Sequence, residues 1–536
     1  MGNRDFCSQP PLIRALLNPA VYDHPVENIR VIETHISWVL MTGAFAYKIK
    51  KPVSLSFADF STLERRRAAC YEELRLNNRL ARRMYLGVVP IYGTVDEPKF
   101  YADGEVIEYA VKMRQFPDQH RLDRFTKEGR LNEEMIRKLA LEVAQFHSVI
   151  PVARHGQGVR EWERRFSEVV ENFDTVKALY GDGGRGRLLE ELRQWSLDSL
   201  AENGDRFRKR SREGFIRECH GDMHLANMAY MDKKITIFDA LEFNPDFRWI
   251  DVMSEVAFVV MDLLHHQRPD LASVFLSSYL EVTGDYDGLP LLRHFLVYRA
   301  MVRAKVSAIR AGQEKTKTGA GDHALGETEV FIDLARQCAD FGKDSFVLIT
   351  FGVSGSGKSL VSGRLVGQIR AIQIRSDVER RRRSVPPERR YSKLAKDRTY
   401  ARLESCADKI LGAGFAVIVD ATFLSRTYRK RFRDLAAAHG VPFGIIALNA
   451  PRDVLVQRIV ARQAAGTDPS EATVSVLDRQ LEEMQPLAAG EREVVVVIDS
   501  VAGADLTPVE RFLRSSIRPP SRQRTGRDGV PASQSR

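Results

Sequence analysis

The octapeptide Gly352-Val353-Ser354-Gly355-Ser356-Gly357-Lys358-Ser359 has the spacing G-x-x-x-x-G-K-S. Its residue types suit phosphate. Glycines at 352, 355 and 357 let backbone N–H groups, that of Ser356 among them, close around anionic oxygens. Lys358 can reach β- and γ-phosphates, and Ser359 offers a hydroxyl to Mg2+. The run before the turn, Val347 to Phe351, is apolar and β-branched, and LVSGRLVGQI after it is compatible with a helix. A strand entering and a helix leaving are the context such a loop requires. The octapeptide lacks the G-x-G-x-x-G spacing of a dinucleotide fingerprint. Nucleotide binding is expected here.

A second constellation lies well upstream, in RECHGDMHLANMAYMDKKITIFDALEF, Arg217 to Phe243. A strand-like IREC enters the loop His220 to Asn227, and a hairpin, MAYM-DKK-ITIF, ends at Asp239. Asp222, Asn227 five residues on and Asp239 beyond a hairpin follow the layout of protein-kinase-like phosphotransferases. Such chemistry needs one carboxylate to orient an acceptor hydroxyl, and an amide with a second carboxylate to hold Mg2+. Lys48 stands upstream in AFAYKIKKPV, where it alone of three lysines follows the apolar pair Ala46-Tyr47 in strand register.

The elements that must position these residues differ between the two halves. From Ile32 the pattern is of short strands, IETHISWVLMTG and AFAYKIKKPV, joined through Gly43. A helical stretch follows, STLERRRAACYEELRLNNRLARRM, with Ser61 or Thr62 as cap, and then the strands VVPIYGTV and EVIEYAVKMRQF. Helical patterns take over from about Asn132, with core-facing segments between Val252 and Ile309. Ala311 to Glu327 is polar and glycine-bearing and reads as a linker or exposed loop.

After the glycine-rich loop, strands and helices alternate. AIQIRSD places Asp377, and AVIVDAT places Asp420, at the carboxyl ends of strands; FGIIALNA and EVVVVIDS supply further strands. In a doubly wound parallel sheet these ends gather at one edge, where ligands bind. Asp420 is the candidate carboxylate for Mg2+, and Asp377 the candidate base on the acceptor side. Arg458 and Arg462 stand four apart on a helix, hence on one face, before a Gly-Thr-Asp-Pro loop.

The bulk properties bound the rest. The chain has 536 residues, 44% hydrophobic and 28% charged, enough for two or three domains of globular composition. No apolar run spans a bilayer, no signal-peptide core is present, and Phe6 stands where myristoylation needs Ser or Thr. Five scattered cysteines show neither zinc nor disulfide spacing, which fits a reducing cytoplasm. Of the net charge of +10, +6 comes from residues 511–536, with seven arginines against Asp528. That segment reads as a disordered basic tail. A second basic cluster, ERRRRSVPPERRYSKLAKDR, suits an acidic or phosphorylated substrate, nucleic acid or a solvated helix face.

HGDMHLAN followed by FDALEF resembles the motifs of the aminoglycoside phosphotransferase and choline kinase superfamily. That resemblance implies Asp222 as catalytic base, Asn227 and Asp239 as magnesium ligands, and Lys48 as the α/β-phosphate lysine. Its partner acid would be Glu73 rather than Glu72; His220 would be structural, and Asp251 would brace it. The second half resembles the zeta-toxin, gluconate kinase and polynucleotide kinase group, with IRSD, VDAT and R-x-x-x-R as matching points. There Arg458 and Arg462 would belong to a mobile lid. The fusion itself resembles a family of bacterial two-domain proteins.

The expected fold class is α/β. The divisions are a lead-in over 1–31, a two-lobed α+β protein-kinase-like domain over 32–310, a linker and connecting helix over 311–343, a doubly wound P-loop domain over 344–510, and the tail. The expected activity is ATP- and Mg2+-dependent phosphotransfer at two nucleotide sites, each to a small hydroxylated acceptor, without membrane association. The alternatives are that one domain is a nucleotide-dependent regulatory or binding module, or that the second is a nucleic-acid 5′-hydroxyl kinase, nucleic acid being the less favoured partner.

Overall fold

The structure, a computed structural model, describes residues 9–26, 28–55, 58–154, 157–181, 183–317, 322–382, 392–465, 472–500 and 505–517. The chain divides into two compact units, Met1–Phe341 and Gly342–Arg536.

The first unit opens with an antiparallel sheet. Strands β1 (Arg30–Glu33), β2 (Ser37–Met41) and β3 (Phe45–Lys50) are followed by helix α1 (Leu63–Asn77), then β4 (Tyr85–Gly93), β5 (Pro98–Phe100) and β6 (Val106–Arg114). The spatial order is β1-β2-β3-β6-β4-β5. IETHISWVLMTG, expected as one strand, turns at Thr34, whose hydroxyl and N–H both bond the Ser37 carbonyl, so it supplies parts of two strands. Strand β3 shows how sequence alternation sorts side chains. Tyr47 and Ile49 join Leu40, Ile91 and Ala110 in an apolar cluster, while Lys48 and Lys50 point to the opposite face. Helix α1 is capped by Thr62, which accepts from the Arg65 N–H. Its buried positions 66, 69, 70, 73, 76 and 77 follow the helical period, and that period carries Glu73 inward.

The rest of this unit is mostly helical. Helix α2 (Glu133–Val149) precedes β7 (Ile216–Glu218), the hairpin β8 (Met228–Met231) and β9 (Lys234–Ile237), and β10 (Trp249–Asp251). Three helices, over Gln157–Lys177, Gly184–Glu202 and Gly204–Arg212, lie between α2 and β7, and helices α3 (Val252–His265), α4 (Pro269–Thr283), α5 (Leu289–Lys317) and α6 (Asp322–Ala339) follow β10. The linker expected from Ala311 is instead helical over 311–317 and again from Asp322, with 318–321 outside the described residues. Gln, Glu and Lys are good helix formers, and Gly312, where an added Cβ would meet nothing within 4 Å, costs the helix about 1 kcal/mol.

The second unit is a five-stranded, wholly parallel sheet. Its strands are β11 (Val347–Phe351), β12 (Ile372–Arg375), β13 (Val417–Asp420), β14 (Phe443–Asn449) and β15 (Val495–Asp499), in the spatial order β12-β13-β11-β14-β15. Between them run helices α7 (Lys358–Ile369), α8 (Ser376–Arg381), α9 (Lys393–Gly412), α10 (Arg426–Ala438), α11 (Arg452–Ala465) and α12 (Val474–Glu483). Central strand β11 is buried at every position, as a two-sided parallel strand must be. From β11 the chain crosses to the edge strand β12, returns to β13 beside β11, and then passes to β14 and β15 on the other side, which puts a topological switch point at the carboxyl end of β11. Of the tail expected from Arg511, residues 511–517 are instead part of helix α13 (Thr507–Ile517), with Val509 and Leu513 in the core, and 518–536 lies outside the described residues. Among the described residues no helix is long and apolar enough to cross a membrane.

Candidate functional sites

In the first unit Lys48, Glu73 and Asp239 converge from three separate elements. Lys48 Nζ lies 2.9 Å from Glu73 Oε1 and 2.6 Å from Asp239 Oδ1. Glu72, the alternative, faces outward to Arg75 and Arg248. Lys48 was expected to be the one functional lysine of its strand, yet Lys50 is fully buried on the same face and pairs with the other Glu73 oxygen and with Glu242. Removing a charge from water costs several kcal/mol unless it is paired, so the second lysine and second glutamate neutralise each other and the cluster. Burial opposes ionisation of Glu73, but Lys48 and Lys50 outweigh it and lower its pKa to about 2. Glu242 has one ammonium partner and the Glu73 charge close by, and burial pushes its pKa up.

Asp239 sits just past β9 in the left-handed region, φ 65°, a conformation costly for a residue with a Cβ. Its N–H donates to the Tyr85 hydroxyl at 3.2 Å, and its side chain is 43% exposed, the wet member of an otherwise dry cluster.

The loop between β7 and β8 carries Asp222 and Asn227. Asn227 Nδ2 donates to the Asp222 main-chain oxygen at 3.0 Å and to Asp222 Oδ2 at 2.8 Å, which leaves the Asn227 amide oxygen available to a cation. Together with Asp239 this is an oxygen-only donor set, which fits Mg2+. Burial would raise the Asp222 carboxyl, but His224, Arg303 and His220 hold it well below the usual carboxylate range. His220 is structural: Nε2 donates to the Phe238 carbonyl at 2.9 Å, and Nδ1 accepts from the Asp222 N–H.

Asp251, expected to brace His220, does not reach it. It pairs with the buried Arg210 through both oxygens and caps α3 at the Met253 N–H. Arg210 also holds Asp285, so one buried guanidinium joins the two carboxylates. The loop is braced instead by Glu255, which accepts from the Gly221 N–H at 2.7 Å, and by Arg299, which donates to the Gly221 carbonyl at 3.2 Å. His147 meets Glu255 at 2.9 Å and the Tyr279 hydroxyl at 2.9 Å. Gly221 itself is required: its φ is 89°, and a Cβ would fall 2.8 Å from the Phe247 carbonyl oxygen. No sequence signal marks Glu255 or Arg299. Lys50 could have been found from the i, i+2 rule.

In the second unit the glycine-rich loop curls between β11 and α7 against a cavity of about 410 Å³. Gly352 donates its N–H to the Thr422 carbonyl, joining the loop to the segment after β13. Gly355 has φ 85°, and a Cβ there would lie 2.9 Å from the Leu455 carbonyl. The Ser356 hydroxyl is buried with no hydrogen-bond partner, packed beside Gly352. Lys358 Nζ donates to the Val353 carbonyl at 2.8 Å, and burial lowers its pKa against the pull of Asp420 and Asp377.

Asp420 ends β13 opposite Arg375 on β12. It is 4% exposed, and burial raises its pKa against Arg375, Lys358 and a hydrogen bond with Ser359. The Ser359 hydroxyl and the Asp420 carboxylate make a second oxygen donor pair. Asp377 lies beyond the end of β12, in the first turn of α8, and pairs with Arg380 at 3.1 Å.

Arg458 and Arg462 both line the cavity. Arg458 donates to the Gly355 carbonyl at 3.2 Å and to the Ser500 carbonyl at 2.8 Å, so it is tied to the loop itself. Arg462 reaches the Ala472 carbonyl at 3.3 Å, and its buried Nε has no hydrogen-bond partner among the described residues. The Gly-Thr-Asp-Pro segment that would form the moving part of the lid lies outside the described residues, as does much of the basic cluster, 383–391. One cavity residue had no sequence signal: Gln480 on α12 accepts from the Ser354 N–H at 2.7 Å, clasping the loop from the opposite wall.

Residues 347–487 match a family model described as an AAA domain. An uncharacterized protein of Mycobacterium tuberculosis strain H37Rv is 29% identical over 475 residues, 85% of this chain and 91% of the relative. Among solved structures, a gluconokinase from Sinorhizobium meliloti 1021 is similar over 32% of this chain and 91% of its own, at 22% identity and TM-score 0.25. A choline kinase from Cryptosporidium parvum Iowa II is similar over 62% of this chain and 96% of its own, at 12% identity and TM-score 0.37.

Proposed function

We propose that this chain is a phosphotransferase with two separate ATP·Mg2+ sites, each passing the γ-phosphoryl group to a small hydroxylated acceptor. The observation that carries the reading is that each unit gathers a complete set of parts, cation for phosphate, oxygen donors for metal and carboxylate for a hydroxyl, from segments distant in sequence.

In the first unit Lys48, held by Glu73, grips the α- and β-phosphates. Asn227 and Asp239 supply oxygens to Mg2+. Asp222, ionised at any physiological pH, accepts the hydrogen bond of the acceptor hydroxyl and orients its oxygen at the phosphorus. In the second unit the N–H groups of Gly352 to Ser359 cradle the phosphates, and Lys358 exchanges the Val353 carbonyl for phosphate oxygens. Ser359 and Asp420 hold the metal, Asp377 faces the acceptor, and Arg458 and Arg462 bring positive charge to the transferring group. Bound Mg2+ neutralises phosphate charge in both sites. Phosphoryl transfer leaves little covalent work for protein groups, so the residues act by position and electrostatics.

The test is a screen of hydroxylated metabolites and aminoglycosides for ATP consumption with wild type, Asp222→Ala and Lys358→Ala. The two variants are expected to lose different acceptors. Unchanged turnover in both would sink the double-kinase reading.

A further inference from the structure

The surroundings of Asp222 carry information about the acceptor that the nucleotide-binding residues do not. Arg303, on α5, is half-buried, and among the described residues it forms no ion pair. This sets it apart from Arg66, Arg165, Arg210 and Arg248, which are all buried against carboxylates. Its one hydrogen-bond contact is Nη1 to His224 Nε2 at 3.2 Å, and its guanidinium lies 5.3 Å from the centre of the Phe331 ring. His224 Nε2 is also 3.3 Å from Asp222 Oδ2, so a single ring nitrogen separates the base carboxylate from the guanidinium.

The neighbours fit the same picture. His265 stacks on Phe331 at 4.7 Å with its Nδ1 buried and unpartnered, and His266 lies beside it. Asp262, on α3, is 4% exposed and its Oδ2 already accepts the Leu225 N–H at 2.8 Å. An ammonium brought to the His224 side of Asp222 would meet the Arg303 guanidinium, which repels it. An anion would find a fixed guanidinium whose donors are mostly unused, a fork suited to carboxylate or phosphate oxygens.

We propose that Arg303 is the acceptor-recognising residue of the first site, and that the acceptor bears an oxyanion, carboxylate or phosphate, a few bonds from the hydroxyl that is phosphorylated. This rests on the reading of the first unit as a phosphotransferase. With the anion on Arg303, the hydroxyl sits at Asp222. Its oxygen forms the new bond to phosphorus, the bond from phosphorus to the β–γ bridging oxygen breaks with its electron pair leaving on ADP, and the hydroxyl proton passes by way of Asp222 to solvent.

The test uses the full chain carrying Lys358→Ala to silence the second site, saturated with Mg·AMP-PNP so that the γ-phosphate position is filled. Calorimetry then compares inorganic phosphate, D-glycerate, glycerol and 2-aminoethanol. Phosphate and glycerate are expected to bind, and the neutral and cationic compounds not. Arg303→Gln should weaken the anions roughly tenfold to a hundredfold without changing AMP-PNP affinity. Arg303→Lys, which keeps the charge and guards against a folding defect, should fall between. Anion binding that is absent, unaffected by Arg303→Gln or displaced by AMP-PNP overturns the proposal, as does preferential binding of 2-aminoethanol. If AMP-PNP itself fails to bind the Lys358→Ala chain, the first nucleotide site falls and this proposal with it.

Discussion

Lys48 and Lys50, two residues apart on one face of β3, share a single carboxylate: Lys48 Nζ meets Glu73 Oε1 at 2.9 Å and Lys50 Nζ meets Glu73 Oε2. They divide labour by depth. Lys48 also touches the partly exposed Asp239, whereas Lys50 is closed off by the buried Glu242. Lys48→Ala is therefore expected to lower first-site turnover by about a hundredfold or more with little loss of stability, because Lys50 still neutralises Glu73. Lys50→Ala leaves two buried carboxylates with too little positive charge and should destabilise the first unit by about 3–5 kcal/mol. Thermal unfolding alongside turnover separates the two; equal stability losses would refute the division.

Acid should act through the same carboxylate. The Glu73 pKa is about 2 in the folded chain against an ordinary value of 4.5, so folding favours its ionised form. The resulting stabilisation is fully present above the unfolded value and is lost as pH falls from about 4.5 toward 2. Denaturant titrations across that window should show a steeper loss for wild type than for Glu73→Gln, which starts less stable but has no carboxyl to protonate. Parallel slopes would count against this assignment.

Gly355→Ala tests whether the loop conformation or merely its charge is needed in the second unit. The new methyl would press on the Leu455 carbonyl at a φ of 85°. Nucleotide-dependent thermal stabilisation of the second unit should disappear while Lys358 and Asp420 remain in place, and first-site turnover should be unchanged. Retained stabilisation by Mg·ATP would show that the loop tolerates a side chain.

Arg210 bridges Asp251 and Asp285 inside the first unit, with bonds of 2.6–2.8 Å to both. Arg210→Met removes the cation and leaves two carboxylates facing each other out of water. A stability loss of about 3–5 kcal/mol is expected, together with lost activity at the first site only, measured by unfolding and by acceptor turnover. If instead the variant is as stable as wild type, the triad is not the anchor described here.

How much of this was legible in sequence depended on how local the physics was. The glycine-rich loop, the strand before it, the helix after it, and the spacing of Asp222, Asn227 and Asp239 are set by residue types within a few positions, because phosphate cradles and hairpins are short-range structures. Asp420 could be placed because a run of β-branched residues must end at the sheet edge. Strand alternation alone puts Lys50 beside Lys48. The family resemblance implies Asp251 as a brace for His220, whereas in the structure it pairs with Arg210, 41 residues before it.

Thus the sequence by itself determined two candidate motifs, the glycine-rich loop and the Asp222–Asn227–Asp239 spacing, and the strands and hairpin on which they ride. Only the tertiary structure decided which polar groups meet: Glu73 with two lysines, Glu255 and Arg299 with the Gly221 backbone, Gln480 with the Ser354 N–H, and Arg303 with His224 and, among the described residues, no ion-pair partner. Charge pairing in a low-dielectric interior depends on distances between segments far apart in the chain, and residue spacing along a sequence holds no record of those distances.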